Sequence, residues 1–256
     1  MLTSFCRTTS RRLSVVAMAG LSACPSTTSL SPLPAGGIHV LFVGNSLTYA
    51  NDLPATVANL GAWSADTIRV ATSAAPDLAL IDHLNGGSNA LQELQLGGWQ
   101  YVVLQQGPST LPINRDSLIL WTKLFDPYIH AAGARAALLM VWPSSDRIAF
   151  FEDVRLSYQS AAQSVNGMFL PAGVAWQKAW AIDGALPFYS SDGYHPTPLG
   201  TYAAALVIYE RLTGHDARSL PARAIAGNFV LSVPETTIRL LQSAAHEANT
   251  QFPEPR

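Results

Sequence analysis

The chain has 256 residues, of which 48% are hydrophobic and 12% charged, with a formal net charge of −2. That is enough apolar residue to fill one large α/β domain or two small ones, and it excludes global disorder. Scattered Lys and Arg give a nucleic acid no basic patch, and two cysteines exclude a disulfide-stapled scaffold or a four-cysteine zinc site.

The N-terminus reads as a processing segment. Arg7, Arg11 and Arg12 precede an apolar, small-residue stretch from Leu13 to Leu21, and residues 1–23 contain no acid. The stretch is too short to span a bilayer, which needs about 20 apolar residues. Residues 1–23 are therefore expected to be a secretory signal peptide. Leu21-Ser22-Ala23-Cys24 resembles the bacterial lipobox. The resemblance implies lipid attachment at Cys24 and export to the cell envelope as a membrane-anchored lipoprotein, on the periplasmic face or the outer membrane. Ser10-Arg11-Arg12 leaves twin-arginine export open beside the general secretory route. Residues 24–37, rich in Ser, Thr, Pro and Gly, read as a flexible tether. Residues 38–256 read as the folded domain.

Beyond the tether, strand and helix signals alternate. Residues 38–43 form an apolar run ending at Gly44, the pattern of a buried parallel strand. A helical pattern follows over 53–62, a strand over 67–71, a helix over 88–96 broken by Gly97-Gly98, and a β-branched strand over 101–104. Asp116 is placed to N-cap a helix running to about 131 and stopped by Gly133. Further strands are expected over 136–141 and 168–170, and helices over 149–164, from Thr197 to about 213, and over 234–249. Five repeats of β-α predict an α/β fold, a parallel sheet covered by helices on both faces. Ligands in such sheets bind at the carboxyl ends of the strands.

Two clusters fall where that rule expects chemistry. Gly44-Asn45-Ser46-Leu47 follows the first strand, and Asp192-Gly193-Tyr194-His195 precedes a late helix. A serine hydroxyl needs an adjacent base to act as a nucleophile, and histidine is the side chain whose ordinary pKa suits that role near neutrality. A carboxylate three residues before the histidine can fold back and hold one ring nitrogen, leaving the other for the serine. Taken singly, Ser46 reads as a helix N-cap, and Asp192 and His195 as turn residues. The combination points to catalysis.

The two clusters resemble the first and last blocks of the SGNH (GDSL-type) hydrolase family, a strand followed by Gly-Asp-Ser-(Leu) and a late Asp-x-x-His. The resemblance implies a three-layer α/β/α sandwich with a flavodoxin-like parallel sheet of about five strands. It implies Ser46 as nucleophile, His195 as general base and Asp192 as its orienter. It also implies an acyl-serine intermediate in ester hydrolysis, with no metal or organic cofactor. Where the family has Asp, this chain has Asn45. Where the family's third block supplies an Asn to the oxyanion hole, this chain has Gln105-Gln106. Glutamine offers the same amide donor one methylene further out, so Gln105, with Gln106 as the alternative, joins the Ser46 N–H as oxyanion donor. Strand alternation sends the two amides to opposite sides. The second-block glycine is missing from Ser73–Leu78; the N–H of Asp77 or of Leu78 can replace it, whereas Pro76 has none, and Gly86-Gly87, further along, is another candidate, so this donor stays unassigned.

The remaining signals are weaker. There is no G-x-S-x-G elbow, no H-E-x-x-H and no cysteine–histidine metal cluster. His83 reads as structural; His39, His130, His215 and His246 read as surface or loop residues. The six tryptophans read mostly as core, with Trp142 at a strand end placed to line a substrate cleft. The expected partners are a small-molecule or glycan ester, with acetylated carbohydrates favoured by an envelope location, and a membrane through the lipid anchor; no nucleic acid is expected. Two alternatives stay open: an envelope protein that keeps this fold only to bind glycans, and a lipase or thioesterase of the same fold.

Overall fold

In the computed structural model, which describes residues 33–254, the apolar run Ile38–Gly44 forms β1, with Val40 to Val43 fully buried. The expected leader, Cys24 and the tether up to residue 32 lie outside the described residues. Ser46–Tyr49 follows as one short helical turn (α1), then a 3-10 turn, and then α2, Leu53–Trp63. The next elements are β2 (Ile68–Ala74), α3 (Leu80–Leu84), α4 (Ala90–Leu96), β3 (Tyr101–Leu104) and α5 (Pro112–Ala131). After them come β4 (Arg135–Leu139), α6 (Phe151–Ser164), β5 (Met168–Leu170) and α7 (Ala172–Ile182). The chain closes with α8 (Pro198–Thr213), a hairpin of β6 (Ala224–Ala226) and β7 (Phe229–Leu231), and α9 (Glu235–Gln251).

The five long-range strands form one parallel sheet in the order β2-β1-β3-β4-β5. α2, α7, α8 and α9 pack with one another, as do α3, α4, α5 and α6. The result is the expected α/β/α sandwich. The strand order reverses between β1 and β3, so the crevice at their carboxyl ends is the topological switch point where such sheets bind ligands. Gly44-Asn45-Ser46 and Gln105-Gln106 leave the sheet on either side of that crevice.

Several local expectations are corrected. Asp116 does not cap α5: the helix starts at Pro112, whose fixed φ suits a first helical position, and Asp116 lies inside it. β4 ends at Leu139, two residues early. His39 is not a surface residue but is 4% exposed within β1, its ring beside the Gly36 carbonyl. His246 sits half-buried on α9. The helix α7 and the β6–β7 hairpin carry no amphipathic signal strong enough to announce them. α7 is apolar around most of its circumference because it is buried, and each hairpin strand has only three residues. Thr197 caps α8 as expected, its hydroxyl accepting the Gly200 N–H.

Candidate active site

Asn45 and Gln105 meet behind the turn that carries Ser46. Gln105 Oε1 accepts the Asn45 N–H at 3.0 Å and the Thr48 hydroxyl at 2.7 Å, and Gln105 Nε2 donates to Asn45 Oδ1 at 3.1 Å. Asn45 Oδ1 also accepts the Leu47 N–H, capping α1, and Asn45 Nδ2 donates to the Leu78 carbonyl at 3.1 Å. These side chains are buried, where a polar group without a partner costs about 1–3 kcal/mol. Gly44 is required beside them, because a Cβ there would overlap Thr48 Oγ1 and Gln105 Oε1. From the other side the fully buried His83 reaches the Gly44 carbonyl at 3.1 Å through Nε2 and Ser88 Oγ at 2.6 Å through Nδ1. A carbonyl only accepts, so Nε2 carries the proton. Burial lowers the His83 pKa, consistent with a neutral ring in the structural role expected of it.

The late loop supplies the second half. Gly193 has φ +69°, and a Cβ there would overlap Ser145 Oγ, so glycine suits both the turn and the contact. This tight turn lets Asp192 fold back: Oδ1 accepts the N–H groups of Tyr194 (2.9 Å) and His195 (3.0 Å), while Oδ2 lies 2.6 Å from His195 Nδ1. The Tyr194 N–H, then the His195 ring and the His195 N–H, lower the Asp192 pKa to about 2, so it is a carboxylate at neutral pH. It can only accept, so His195 Nδ1 bears the proton and Nε2 presents a lone pair. That nitrogen lies 2.8 Å from Ser46 Oγ.

Trp142 and Asn51 fix this loop. Trp142 is not in a cleft wall: it is 2% exposed, stacked on Trp176 at 3.6 Å, and donates its indole N–H to the Tyr194 carbonyl at 3.0 Å. Asn51 donates through Nδ2 to the Pro196 carbonyl (2.9 Å) and to Thr201 Oγ1 (3.0 Å), tying the serine loop to the histidine loop. Asn51 and Asp52 are both left-handed, with φ 51° and 54°, a conformation that Asn and Asp tolerate better than other side chains. Asp77 and Ser109, after β2 and β3, are left-handed too. The only sequence sign of these roles is an Asn-Asp pair soon after the serine.

The oxyanion assignment changes. Gln105 is fully buried and both hydrogens of its amide are engaged, one by Asn45 Oδ1 and the other by the Gln106 carbonyl. It supports the turn and has no hydrogen left to donate to a ligand. Gln106, on the opposite side of the strand end, accepts the Leu80 N–H and gives one amide hydrogen to Ser109 Oγ. Its other amide hydrogen has no acceptor among the described residues, and the side chain lines a cleft of about 410 Å³. The buried Tyr158 phenol donates to the Gln106 carbonyl at 2.6 Å and fixes this loop. Among the described residues the N–H groups of Ser46 and Asp77 also have no acceptor, while the Leu78 N–H faces the Ala75 carbonyl. Far from the crevice, Glu210, Asp216 and His246 bring potential metal-ligand atoms within 4.8 Å of one another. Their carboxylates already accept the Ala217 N–H and the Arg218 guanidinium.

No protein-family model matches the chain, and no curated protein matches it. Solved structures do. A DUF4886 family protein from Bacteroides uniformis superposes with a TM-score of 0.70 at 18% identity, over 85% of this chain and 96% of the other. A candidate SGNH hydrolase from Slackia heliotrinireducens gives 0.56 at 25% identity, over 69% and 99%. An acetylxylan esterase from Geobacillus stearothermophilus gives 0.54 at 14% identity, over 72% and 97%. The chain has the SGNH hydrolase fold.

Asn45→Asp tests the buried network. The introduced carboxyl would set an oxygen against the Leu78 carbonyl in place of a donor. Chemical denaturation at neutral pH is expected to show a loss of about 1–3 kcal/mol. Burial raises the pKa of such a carboxyl, so the deficit should shrink as pH falls and the group, once protonated, can donate again. A variant as stable as the parent at pH 7 would contradict the network.

Proposed function

We propose that the protein is a serine ester hydrolase acting through an acyl-serine intermediate. The observation that carries this reading is the continuous chain of contacts from Asp192 through His195 to Ser46 at the switch point of the sheet. Ser46 Oγ attacks the ester carbonyl while His195 Nε2 takes its proton. The Asp192 carboxylate holds the ring and stabilises the imidazolium. The carbon–oxygen bond to the alcohol then breaks, and His195 returns the proton to the departing oxygen. Water, activated by the same nitrogen, attacks the acyl-serine and releases the acid.

The Ser46 N–H, the free amide hydrogen of Gln106 and the Asp77 N–H are assigned to the oxyanion. Gln105 is assigned to positioning Asn45 and, through it, the serine. The acetylxylan esterase among the fold neighbours supports an acetylated carbohydrate as the substrate class. Cys24 is assigned to lipid anchoring in the cell envelope, on the strength of the lipobox resemblance.

Ser46→Ala is expected to abolish hydrolysis of para-nitrophenyl acetate while leaving the circular dichroism spectrum intact. Gln106→Ala should lower kcat by about 10²–10³. Full activity in the serine variant would end the proposal, and an unchanged kcat in the glutamine variant would remove Gln106 from the oxyanion hole. Cys24→Ala should move the full-length protein from the membrane to the soluble fraction after cell lysis. Retention on the membrane would rule out Cys24 as the anchor.

A further inference from the structure

The cleft of about 410 Å³ is lined by Gln106, assigned above to the oxyanion, and by Tyr194; Ser46 and His195 are not among its lining residues. Three of its lining residues are chain neighbours of groups that hold the site. Tyr194 precedes His195; Gln106 follows Gln105; Ala79 follows Leu78, whose carbonyl binds Asn45. A substrate whose carbonyl oxygen reaches the free amide hydrogen of Gln106 has this cleft next to it. The lining also includes Trp121 and the exposed Arg147.

The chemistry of the lining is selective. No Asp or Glu faces the cleft, and Arg147 is its one charged residue. Among the described residues no carboxylate pairs with that guanidinium. It is held instead by neutral contacts: Nη2 donates to Thr110 Oγ1 at 3.3 Å, and the guanidinium carbon lies 4.7 Å from the centre of the Phe150 ring. Five N–H donors on a planar fork are thus oriented but mostly unused. Burial, and then the Asp77 charge, raise the Tyr194 pKa, so its phenol is neutral, and the same Asp77 charge is one that Arg147 has to outweigh for an anion to bind.

Resting on the serine-hydrolase reading above, we infer that the substrate carries a carboxylate on the part that enters this cleft, and that Arg147 is the specificity-determining residue that recognises it. Arginine and carboxylate match as a fork and a pair of oxygens. Trp121 supplies an apolar face for the carbon skeleton between the ester and the acid.

Matched ester pairs test this. In the first pair the charge is on the alcohol: para-acetoxybenzoate against para-acetoxybenzamide. In the second it is on the acyl chain: mono-para-nitrophenyl adipate against para-nitrophenyl hexanoate. The readout is the ratio of kcat/KM, charged over neutral, in the wild-type protein, Arg147→Ala and Arg147→Lys. The inference expects the ratio for one pair to fall about 10–100-fold in Arg147→Ala, the worth of a charge-assisted contact. It expects partial recovery in Arg147→Lys, which keeps the charge and loses the fork. Ratios that are the same in all three proteins for both pairs overturn it, while Ser46-dependent turnover of the neutral esters leaves the hydrolase reading standing. If the wild-type protein turns over none of the four esters, the hydrolase reading fails and takes this inference with it.

Discussion

Two buried amides, Asn45 and Gln105, satisfy one another at the point where the sheet changes direction, and the position of Ser46 follows from that pairing. Asn45 gives its backbone N–H to Gln105 Oε1 and takes a hydrogen from Gln105 Nε2. The strands they leave, β1 and β3, are neighbours in the sheet, so the pair spans the crevice from one side to the other. Inside a protein such a network is strong when complete and costly when any member is left unpaired. Completion here is strict: Gln105 Oε1 serves the Asn45 N–H and Thr48, and its amide nitrogen serves Asn45 and the Gln106 carbonyl. Asn45 uses one of its two amide hydrogens to hold the Leu78 carbonyl. Three strand ends are thereby fastened together directly behind one hydroxyl.

The fourth contributor, the loop carrying Asp192 and His195, comes from far along the chain and is held by different means. A left-handed glycine closes its turn, Trp142 fastens its carbonyl from the core, and Asn51 fastens it from the serine side. Of the six left-handed residues other than glycine among the described residues, four follow β1, β2 and β3, at Asn51, Asp52, Asp77 and Ser109, while Ala65 and Asn166 precede β2 and β5. Such conformations persist only where the surroundings over-determine them, and they gather at functional sites. The sheet thus supplies rigidity, and four of the six strained positions sit in the loops around the crevice.

The sheet was legible because its signals are local. Apolar runs bounded by glycine mark β1, β3 and β5 within a residue of where they lie, and β-α alternation fixes a parallel sheet. The Asp192–His195 spacing was legible for a similar reason, since a three-residue return is a local turn. What escaped depends on which way a side chain faces. Gln105 and Gln106 look alike in sequence and both are buried; only the partners of their amides, Asn45 for one and Ser109 beside the cleft for the other, separate their roles. Trp142 at a strand end looks like a cleft wall until its stacking on Trp176 is seen. α7 was invisible because a helix buried on most sides shows no polar stripe. The contact between Asn51 and Pro196 joins positions 145 residues apart, which no spacing rule reaches.

The central claim is that Ser46 is made nucleophilic by His195 and held for attack by the buried amides beneath it. Its most direct test is covalent. A fluorophosphonate should phosphonylate Ser46 in the folded protein, with the adduct located by mass spectrometry of the peptide containing residues 38–69, and His195→Ala should suppress the labelling. Labelling that is absent at Ser46 in the wild-type protein, or equally fast in His195→Ala, would contradict the account.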